Sequence, residues 1–136
     1  MATKVLVVDD ETAILRLLEV NLARAGYEVS TAYDGIEGLQ KVQEVEPDLI
    51  VLDIVMPNMD GYQMMNELQS HPRYKDIPVI ILTALAQDAD IHRGWRSGAA
   101  AYITKPIVVE HFVTMLKRVE DFMDTGSSPS LPLTGV

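Results

Sequence analysis

The sequence contains no cysteine among its 136 residues, which excludes a disulfide framework, a thiolate zinc site and a thiol nucleophile. Aromatic side chains make up only 6% of the residues, and there are 11 basic residues against 20 acidic ones. The resulting net charge of -9 repels phosphate backbones, and no stripe of lysine and arginine offsets that repulsion. We therefore expect no binding to nucleic acid. Clustered carboxylates instead suit a hard divalent cation.

Long apolar runs are also missing. No segment approaches the roughly 20 apolar residues that a transmembrane helix needs, and the first four residues lead directly into a strand-like run instead of a signal peptide. We expect a cytoplasmic protein without a membrane anchor. The chain length is typical of one domain, and 48% apolar residues with 23% charged residues are ordinary for a globular protein.

The chain is organised around a short apolar run, Leu49–Leu52, that ends at Asp53. Pro47 precedes the run, and a segment rich in proline, asparagine, aspartate and glycine follows it at residues 57–61. Such a run is typical of a strand that is buried on both faces of a parallel sheet. Asp53 then lies at the carboxyl end of the strand, which is the edge where open α/β sheets bind ligands.

The rest of the sequence alternates between strand-like and helix-like segments. The pattern predicts strands over Lys4–Val8, Tyr27–Ala32, Leu49–Leu52, Ile77–Leu82 and Ala99–Ile103. It predicts helices over Glu11–Ala25, residues 35–46, Gly61–Ser70, Asp88–Ser97 with a break at Gly94, and Val108–Asp124. Short right-handed crossovers would wind these units into an α/β fold, a doubly wound five-stranded parallel sheet between two layers of helices.

The composition changes at Thr125, where glycine, serine and proline replace the periodic pattern. We therefore predict one domain over residues 1–124 and a linker or tail over residues 125–136.

Polar residues capable of phosphoryl chemistry follow four of the predicted strands: Asp9 and Asp10, Asp53, Thr83, and Lys105. A parallel sheet brings the carboxyl ends of its strands together, so these side chains would share one crevice. Three adjacent carboxylates favour a Mg²⁺ ion, while a lysine and a threonine suit a phosphoryl group. The alternative, that each is a solvated residue at a strand end, does not explain their common alignment.

With their neighbours, these residues resemble the receiver domains of bacterial two-component response regulators. The matching segments, which fall within about residues 3 to 121, are Val7–Glu11, Asp53, Met56–Gly61, Thr83–Ala84, Gly98–Ala99 and Tyr102–Pro106. The resemblance implies the flavodoxin-like topology of CheY, with strand order 2-1-3-4-5.

The resemblance also implies roles for individual residues. Asp53 would accept a phosphoryl group from a phosphohistidine on a partner histidine kinase or phosphotransfer protein. Mg²⁺ would be held by Asp9, Asp10 and Asp53 and by the backbone carbonyl of Val55. Lys105 and Thr83 would contact the phosphoryl oxygens. The domain would thus be a signalling module that catalyses only its own phosphorylation and slow dephosphorylation.

A switch belongs to the same resemblance. Thr83 would be drawn towards the phosphoryl group, and the aromatic ring of Tyr102 would rotate inward. The surface formed by the fourth helix, the fifth strand and the fifth helix would change as a result. The resemblance also implies a cis peptide bond between Lys105 and Pro106.

Ile91 and Trp95 lie one helical turn apart in the fourth predicted helix, which has few other apolar residues. We interpret them as a partner-facing apolar patch; a core position for Trp95 is the alternative. A homodimer through this face is one use of such a patch. Ala100 and Ala101 stand where many DNA-binding relatives have acidic residues, so the ion pairs of that subfamily's dimer are not expected.

The final residues, Leu131–Val136, look like the opening of a GGDEF-type diguanylate cyclase domain, although a plain tail is the alternative.

Two other functions also fit parts of the pattern. An aspartate-nucleophile, Mg²⁺-dependent phosphohydrolase of the haloacid dehalogenase kind would need a second aspartate where Val55 stands. A flavodoxin-like cofactor binder would need a phosphate-binding loop where the acidic triplet follows the first strand. A receiver-like protein that serves only as an interaction module is a third alternative.

Overall fold

The structure of the protein, a computed structural model, describes residues 2–124 and 133–135. Its strands are β1 (Lys4–Val8), β2 (Glu28–Ala32), β3 (Leu49–Leu52), β4 (Val79–Thr83), β5 (Ala101–Thr104) and β6 (Leu133–Gly135). Its helices are α1 (Thr12–Arg24), α2 (Gly35–Val45), α3 (Gly61–Gln69), α4 (Asp88–Arg96) and α5 (Val109–Asp124). Every predicted strand and helix is present, with ends displaced by no more than about two residues.

The sheet is parallel throughout and has the strand order β2-β1-β3-β4-β5-β6. Its first five strands confirm the predicted order 2-1-3-4-5. The central strand, β3, lies between β1 and β4, with Leu52 paired to Val8 on one side and to Ile81 on the other. Asp9 and Asp53 therefore leave neighbouring strands at the same level, which places them side by side at the carboxyl edge.

Alternate residues of the strands enter two hydrophobic cores, one on each face of the sheet. One core packs the sheet against α1 and α5, through residues such as Val51, Leu18 and Phe112. The other packs it against α2, α3 and α4, through residues such as Leu52 and Met64. Because both faces of β3 are covered, its four residues are all buried, which explains the unbroken apolar run in the sequence.

The helix ends follow the turn chemistry of the sequence. Gly26 and Gly98 come just after α1 and α4 and have φ angles of 98° and 93°, in the left-handed region that ends many helices. Asp34 and Asp60 cap α2 and α3, each accepting a hydrogen bond from a backbone N–H three residues later. The predicted break at Gly94 was wrong, because α4 runs without interruption from Asp88 to Arg96.

The sixth strand was not predicted. Leu133–Gly135 pairs with the outer edge of β5, in register with Ala101–Ile103, although the sequence there has the composition of a linker. The GGDEF-like run, Leu131–Val136, otherwise lies outside the described residues, so the following domain stays a prediction. Among the helices of residues 2–124, none is both long enough and apolar enough to cross a membrane.

Gly61, the first residue of α3, generates a prediction about stability. A Cβ atom on Gly61 would lie 2.4 Å from the carbonyl oxygen of Asp53 and 2.8 Å from the Cα atom of Ile54. Backbone atoms cannot move aside cheaply, so we expect Gly61→Ala to lower the free energy of unfolding by about 2 to 3 kcal/mol in urea denaturation.

Gly35 provides the matched control because it is the first residue of α2 and also follows an aspartate cap. A Cβ atom there would lie 2.9 Å from Met59 Cγ and 3.0 Å from the Met59 carbonyl oxygen, so its backbone contact is longer than either of those at Gly61. The loss for Gly35→Ala should therefore be clearly smaller. Equal losses for the two variants would show that the backbone of Asp53 does not impose the constraint.

Candidate functional site

The site begins with two aspartates at the ends of adjacent strands. Asp53 donates its backbone N–H to the carbonyl of Val8 (3.0 Å), and Asp9 donates its own to the carbonyl of Ala32 (3.1 Å). These bonds extend the sheet ladder by one residue and fix both aspartates at its carboxyl edge. Both side chains are buried, with relative exposures of 1% for Asp9 and 5% for Asp53. Buried carboxylates are costly unless they are paired or hold a cation.

Asp10 completes an acidic cluster with these two residues. Asp9, Asp10 and Asp53 each offer a carboxylate oxygen, and the three oxygens lie within 4.8 Å of one another. Burial raises the pKa of Asp9 above its ordinary value, and the neighbouring Asp53 charge adds to the rise. Hydrogen bonds from the Glu11 N–H and from Lys105 oppose the rise without cancelling it. Three carboxylate oxygens whose negative charge is not fully compensated form a donor set that fits Mg²⁺.

Lys105 brings the one ammonium group that the described residues place among these carboxylates. Its Nζ atom lies 2.9 Å from Asp9 Oδ2, 2.9 Å from Asp53 Oδ2 and 2.7 Å from Glu11 Oε1. Burial by itself would lower the pKa of Lys105, but the contacts with the carboxylates outweigh it, so the pKa lies above its ordinary value. The lysine is therefore charged, and four carboxylates share a single compensating charge.

The loop that carries Lys105 is fixed to the neighbouring strand. The Lys105 N–H donates to the carbonyl of Thr83 (2.8 Å), and the peptide bond between Lys105 and Pro106, for which the resemblance implies the cis form, is cis. This attachment directs the lysine side chain back over the carboxyl edge of the sheet.

Thr83 is the last residue of β4 and is fully buried. Leu52 pairs with Ile81, so Thr83 lies one residue beyond the level of Asp53 on the adjacent strand. Its Oγ1 atom accepts a hydrogen bond from the Leu85 N–H (3.4 Å). The carbonyl of the same Leu85 accepts a hydrogen bond from the Tyr102 hydroxyl (2.6 Å). Leu85 thus links the threonine to the tyrosine through its backbone.

The Tyr102 ring lies inside the protein, with 0% relative exposure. Burial raises the pKa of its hydroxyl to about 12, so the hydroxyl remains a hydrogen-bond donor at neutral pH. Gly94 on α4 makes room for the ring, because a Cβ atom there would lie 2.5 Å from Tyr102 Cδ2. The glycine that looked like a helix break is therefore the position where α4 accommodates Tyr102.

Ile91 and Trp95 do not share one environment. Ile91 packs, partly buried, against the core that contains Tyr102. Trp95 is half-buried and lies beside His92, with ring centroids 6.1 Å apart. The Nε1–H of Trp95 is buried without a hydrogen-bond partner among the residues that the structure describes. Both side chains are partly exposed, and the partner-facing patch of Ile91 and Trp95 stays a prediction.

Glu11 was not among the predicted site residues, yet its contact with Lys105 is the shortest of the three that this lysine makes with carboxylates. Its neighbours Asp9 and Asp10 belong to the metal-ligand cluster, whereas Glu11 reaches the lysine alone. No pattern in the sequence separates these three acidic residues.

Comparison with known proteins gives consistent matches. The family model of the response regulator receiver domain matches residues 5–117. The DNA-binding dual master transcriptional regulator RpaA of Synechocystis is 45% identical over 116 residues, which is 85% of this chain and 47% of that protein. The response regulator PleD of Caulobacter vibrioides is 45% identical over 107 residues, 79% of this chain and 24% of that protein. The chain spans about half the length of the first relative and about a quarter of the second.

Solved structures agree with the sequence matches. The chemotaxis response regulator CheY4 of Vibrio cholerae superposes with a TM-score of 0.82 at 35% identity, covering 88% of this chain and 99% of that one. The receiver domain of the Francisella response regulator 1452 has a TM-score of 0.82 at 30% identity, covering 89% and 98% of the two chains.

The contact between Gly94 and Tyr102 generates a second prediction. In a helix interior, Gly→Ala ordinarily stabilises a protein by about 1 kcal/mol. Gly94→Ala should instead destabilise this protein or expel the ring, because the new methyl group would overlap Tyr102. In a Tyr102→Ala background, the same substitution should recover its ordinary stabilising effect. Urea denaturation of the four proteins in this double-mutant cycle measures both effects. A stabilising effect of the same size in both backgrounds would contradict the contact.

Proposed function

The chain belongs to the family of response regulator receiver domains, which are signalling domains and not classical enzymes, and we propose that Asp53 is its phosphoacceptor. Receiver domains of this family interact with histidine kinases and with output domains. The observation that carries the proposal is the position of Lys105, whose Nζ atom lies 2.9 Å from both Asp53 and Asp9. A charged lysine beside the carboxylate that attacks the phosphorus atom can offset the negative charge of the phosphoryl group during its transfer.

In the proposed reaction, a carboxylate oxygen of Asp53 attacks the phosphorus atom of a phosphohistidine on the partner kinase. The new phosphorus–oxygen bond forms as the phosphorus–nitrogen bond breaks. The histidine leaves with the electron pair of that bond and takes a proton from solvent. Asp53 becomes an acyl phosphate, and Lys105 and Thr83 contact its oxygens. Such a transfer depends mainly on positioning, which the strand ends supply, and on charge neutralisation, to which Lys105 contributes.

Asp9, Asp10, Asp53 and the backbone carbonyl of Val55 would hold Mg²⁺. The metal would neutralise charge on the phosphoryl oxygens. The Val55 N–H donates to Asp53 Oδ1 (3.2 Å), so the same loop residue also orients the acceptor carboxylate. This assignment supports a receiver over an aspartate-nucleophile phosphohydrolase, since Val55 stands where the latter needs its general acid. The complete acidic set also favours phosphorylation over a role as an interaction module alone.

The switch that we propose acts through the backbone of Leu85. Thr83 Oγ1 accepts the Leu85 N–H, and the Leu85 carbonyl accepts the Tyr102 hydroxyl. If the Thr83 hydroxyl turns towards a phosphoryl group, the Leu85 N–H loses its partner while the Leu85 carbonyl keeps its hydrogen bond from Tyr102. The position of Tyr102 under α4 then depends on the state of Asp53. Because the ring already lies inside the protein, we propose that phosphorylation changes how firmly it is held, instead of driving the inward rotation that the resemblance implies.

The third prediction concerns labelling of Asp53. Acetyl phosphate with Mg²⁺ should add one phosphoryl group to the wild type, and Asp53→Asn should abolish the addition, since an amide cannot attack phosphorus. Intact-protein mass spectrometry followed by mapping of the acyl phosphate measures the result. Chelation of Mg²⁺ should also suppress it.

Asp76→Asn is the matched control, because Asp76 is an exposed aspartate outside the site. It should be labelled as the wild type is. Equal labelling of Asp53→Asn and the wild type would show that another residue accepts the phosphoryl group.

The fourth prediction concerns the surface formed by α4, β5 and α5, through which we propose a homodimer or a contact with an output domain. Beryllofluoride with Mg²⁺ should strengthen self-association of the wild type, and Trp95→Ala should weaken it. Thr83→Ala should bind the ligand without the gain in association. A tenfold change in pairing needs only about 1.4 kcal/mol, which is within the reach of one half-buried indole ring.

Sedimentation velocity measures the association. Tyr33→Ala is the control, because the exposed Tyr33 lies in the loop between β2 and α2, away from this surface. Association that is unchanged by beryllofluoride in every variant would rule out this surface as the site of pairing.

A further inference from the structure

Glu11 lies directly before α1 and next to the metal-ligand cluster, but its side chain does neither of the things that such a position favours. It does not cap α1, since no backbone N–H of the first turn bonds to it. It is also outside the group of three carboxylates that could hold a metal ion. Its Oε1 atom lies 2.7 Å from Lys105 Nζ, while 57% of the side chain remains exposed to solvent.

Carboxylate oxygens already surround the ammonium group of Lys105. An ammonium group has three N–H donors, and three carboxylate oxygens surround this one: Asp9 Oδ2, Glu11 Oε1 and Asp53 Oδ2. Glu11 and Asp53 accept hydrogen bonds from Nζ and Asp9 forms an ion pair with it, so a further anionic oxygen must compete with these three contacts for Lys105. The three carboxylates differ in how costly it is for each of them to release the lysine.

We propose that Glu11 is a positioning residue that holds Lys105 until a phosphoryl group replaces it. This inference rests on the proposed function of Asp53. The Asp9 and Asp53 carboxylates are buried, with side-chain exposures of 2% and 6%. If either of them lost its contact with Lys105, water could not take the place of the ammonium group. The exposed Glu11 carboxylate, by contrast, is hydrated by solvent once its contact with Lys105 is broken. It is therefore the least costly partner for Lys105 to release.

Two consequences follow from this arrangement. Glu11 competes with phosphoryl oxygens for the lysine, and its negative charge also repels an incoming phosphoryl group. Both effects weaken binding of a phosphoryl group at Asp53. Glu11 thereby lowers the affinity for a phosphoryl group while keeping Lys105 in place above Asp53. Because Glu11 is exposed, its charge is screened by salt, whereas a purely structural role would not depend on ionic strength in this way.

The experiment measures beryllofluoride affinity at saturating Mg²⁺ for the wild type and Glu11→Gln, which keeps the shape of the side chain and removes its charge. Glu11→Gln should bind beryllofluoride about three- to tenfold more tightly at low salt, because a charged hydrogen bond is replaced by a weaker neutral one. The difference should shrink in 1 M salt, where the Debye length is about 3 Å. Mg²⁺ affinity, measured separately, should not increase.

Glu19→Gln is the matched control, because it removes the same charge from an exposed site on α1 without a contact to Lys105. It should bind beryllofluoride as the wild type does. In a Lys105→Met background, Glu11→Gln should lose most of its effect. Glu11→Asp, which keeps the charge but shortens the side chain, should bind more tightly than the wild type and less tightly than Glu11→Gln.

Equal affinity of Glu11→Gln and the wild type, or a difference that stays undiminished in 1 M salt or in the Lys105→Met background, would overturn the inference. Glu11→Asp binding no more tightly than the wild type would overturn the role of the contact. A wild type that neither binds beryllofluoride nor is labelled at Asp53 would instead refute the proposed function. These failures are therefore distinguishable.

Discussion

The rest of the site depends on one electrostatic constraint, which is that two carboxylates are buried side by side. Asp9 and Asp53 cannot separate, because the pairing of β1 with β3 fixes their backbones at the same level. They cannot be hydrated freely either, since both lie below the surface. Burial of this kind is tolerable only beside positive charge, so the loop after β5 must bring Lys105 over them. The lysine offsets only part of the charge, and the remainder favours a divalent cation.

The strand ends and the loops that follow them contribute differently to this site. Strands with both faces buried hold the charged groups at fixed separations, and a hydrogen bond between the loop after β5 and the end of β4 holds the lysine loop. The segment between β4 and α4 carries Leu85, whose N–H is bonded to Thr83 and whose carbonyl is bonded to Tyr102. Thr83, at the edge of the acidic cluster, and Tyr102, which belongs to the core packed against α2, α3 and α4, are therefore connected through the backbone of one residue.

Most of this arrangement could be predicted from the sequence, because buried parallel strands leave continuous apolar runs and the residues that follow them mark one sheet edge. The predictions failed where the decisive contact lies between segments remote in sequence. Gly94 was interpreted as a helix break, since the sequence does not show that the Tyr102 ring needs its space. Glu11 had no distinguishing mark among three adjacent acidic residues. The strand Leu133–Gly135 was missed because it joins the sheet through backbone hydrogen bonds, while its neighbours have the composition of a linker.

That sixth strand changes which surfaces the sheet can offer. The outer edge of β5 would otherwise present unpaired N–H and C=O groups, which readily pair with a strand from another molecule. Here the chain's own Leu133–Gly135 bonds to that edge, opposite Ala101–Ile103. A neighbouring molecule that approached along the same edge would have to exchange strands with it. Leu133–Gly135 therefore closes this edge of the sheet to pairing with a foreign strand, whatever the chemical state of the acidic cluster.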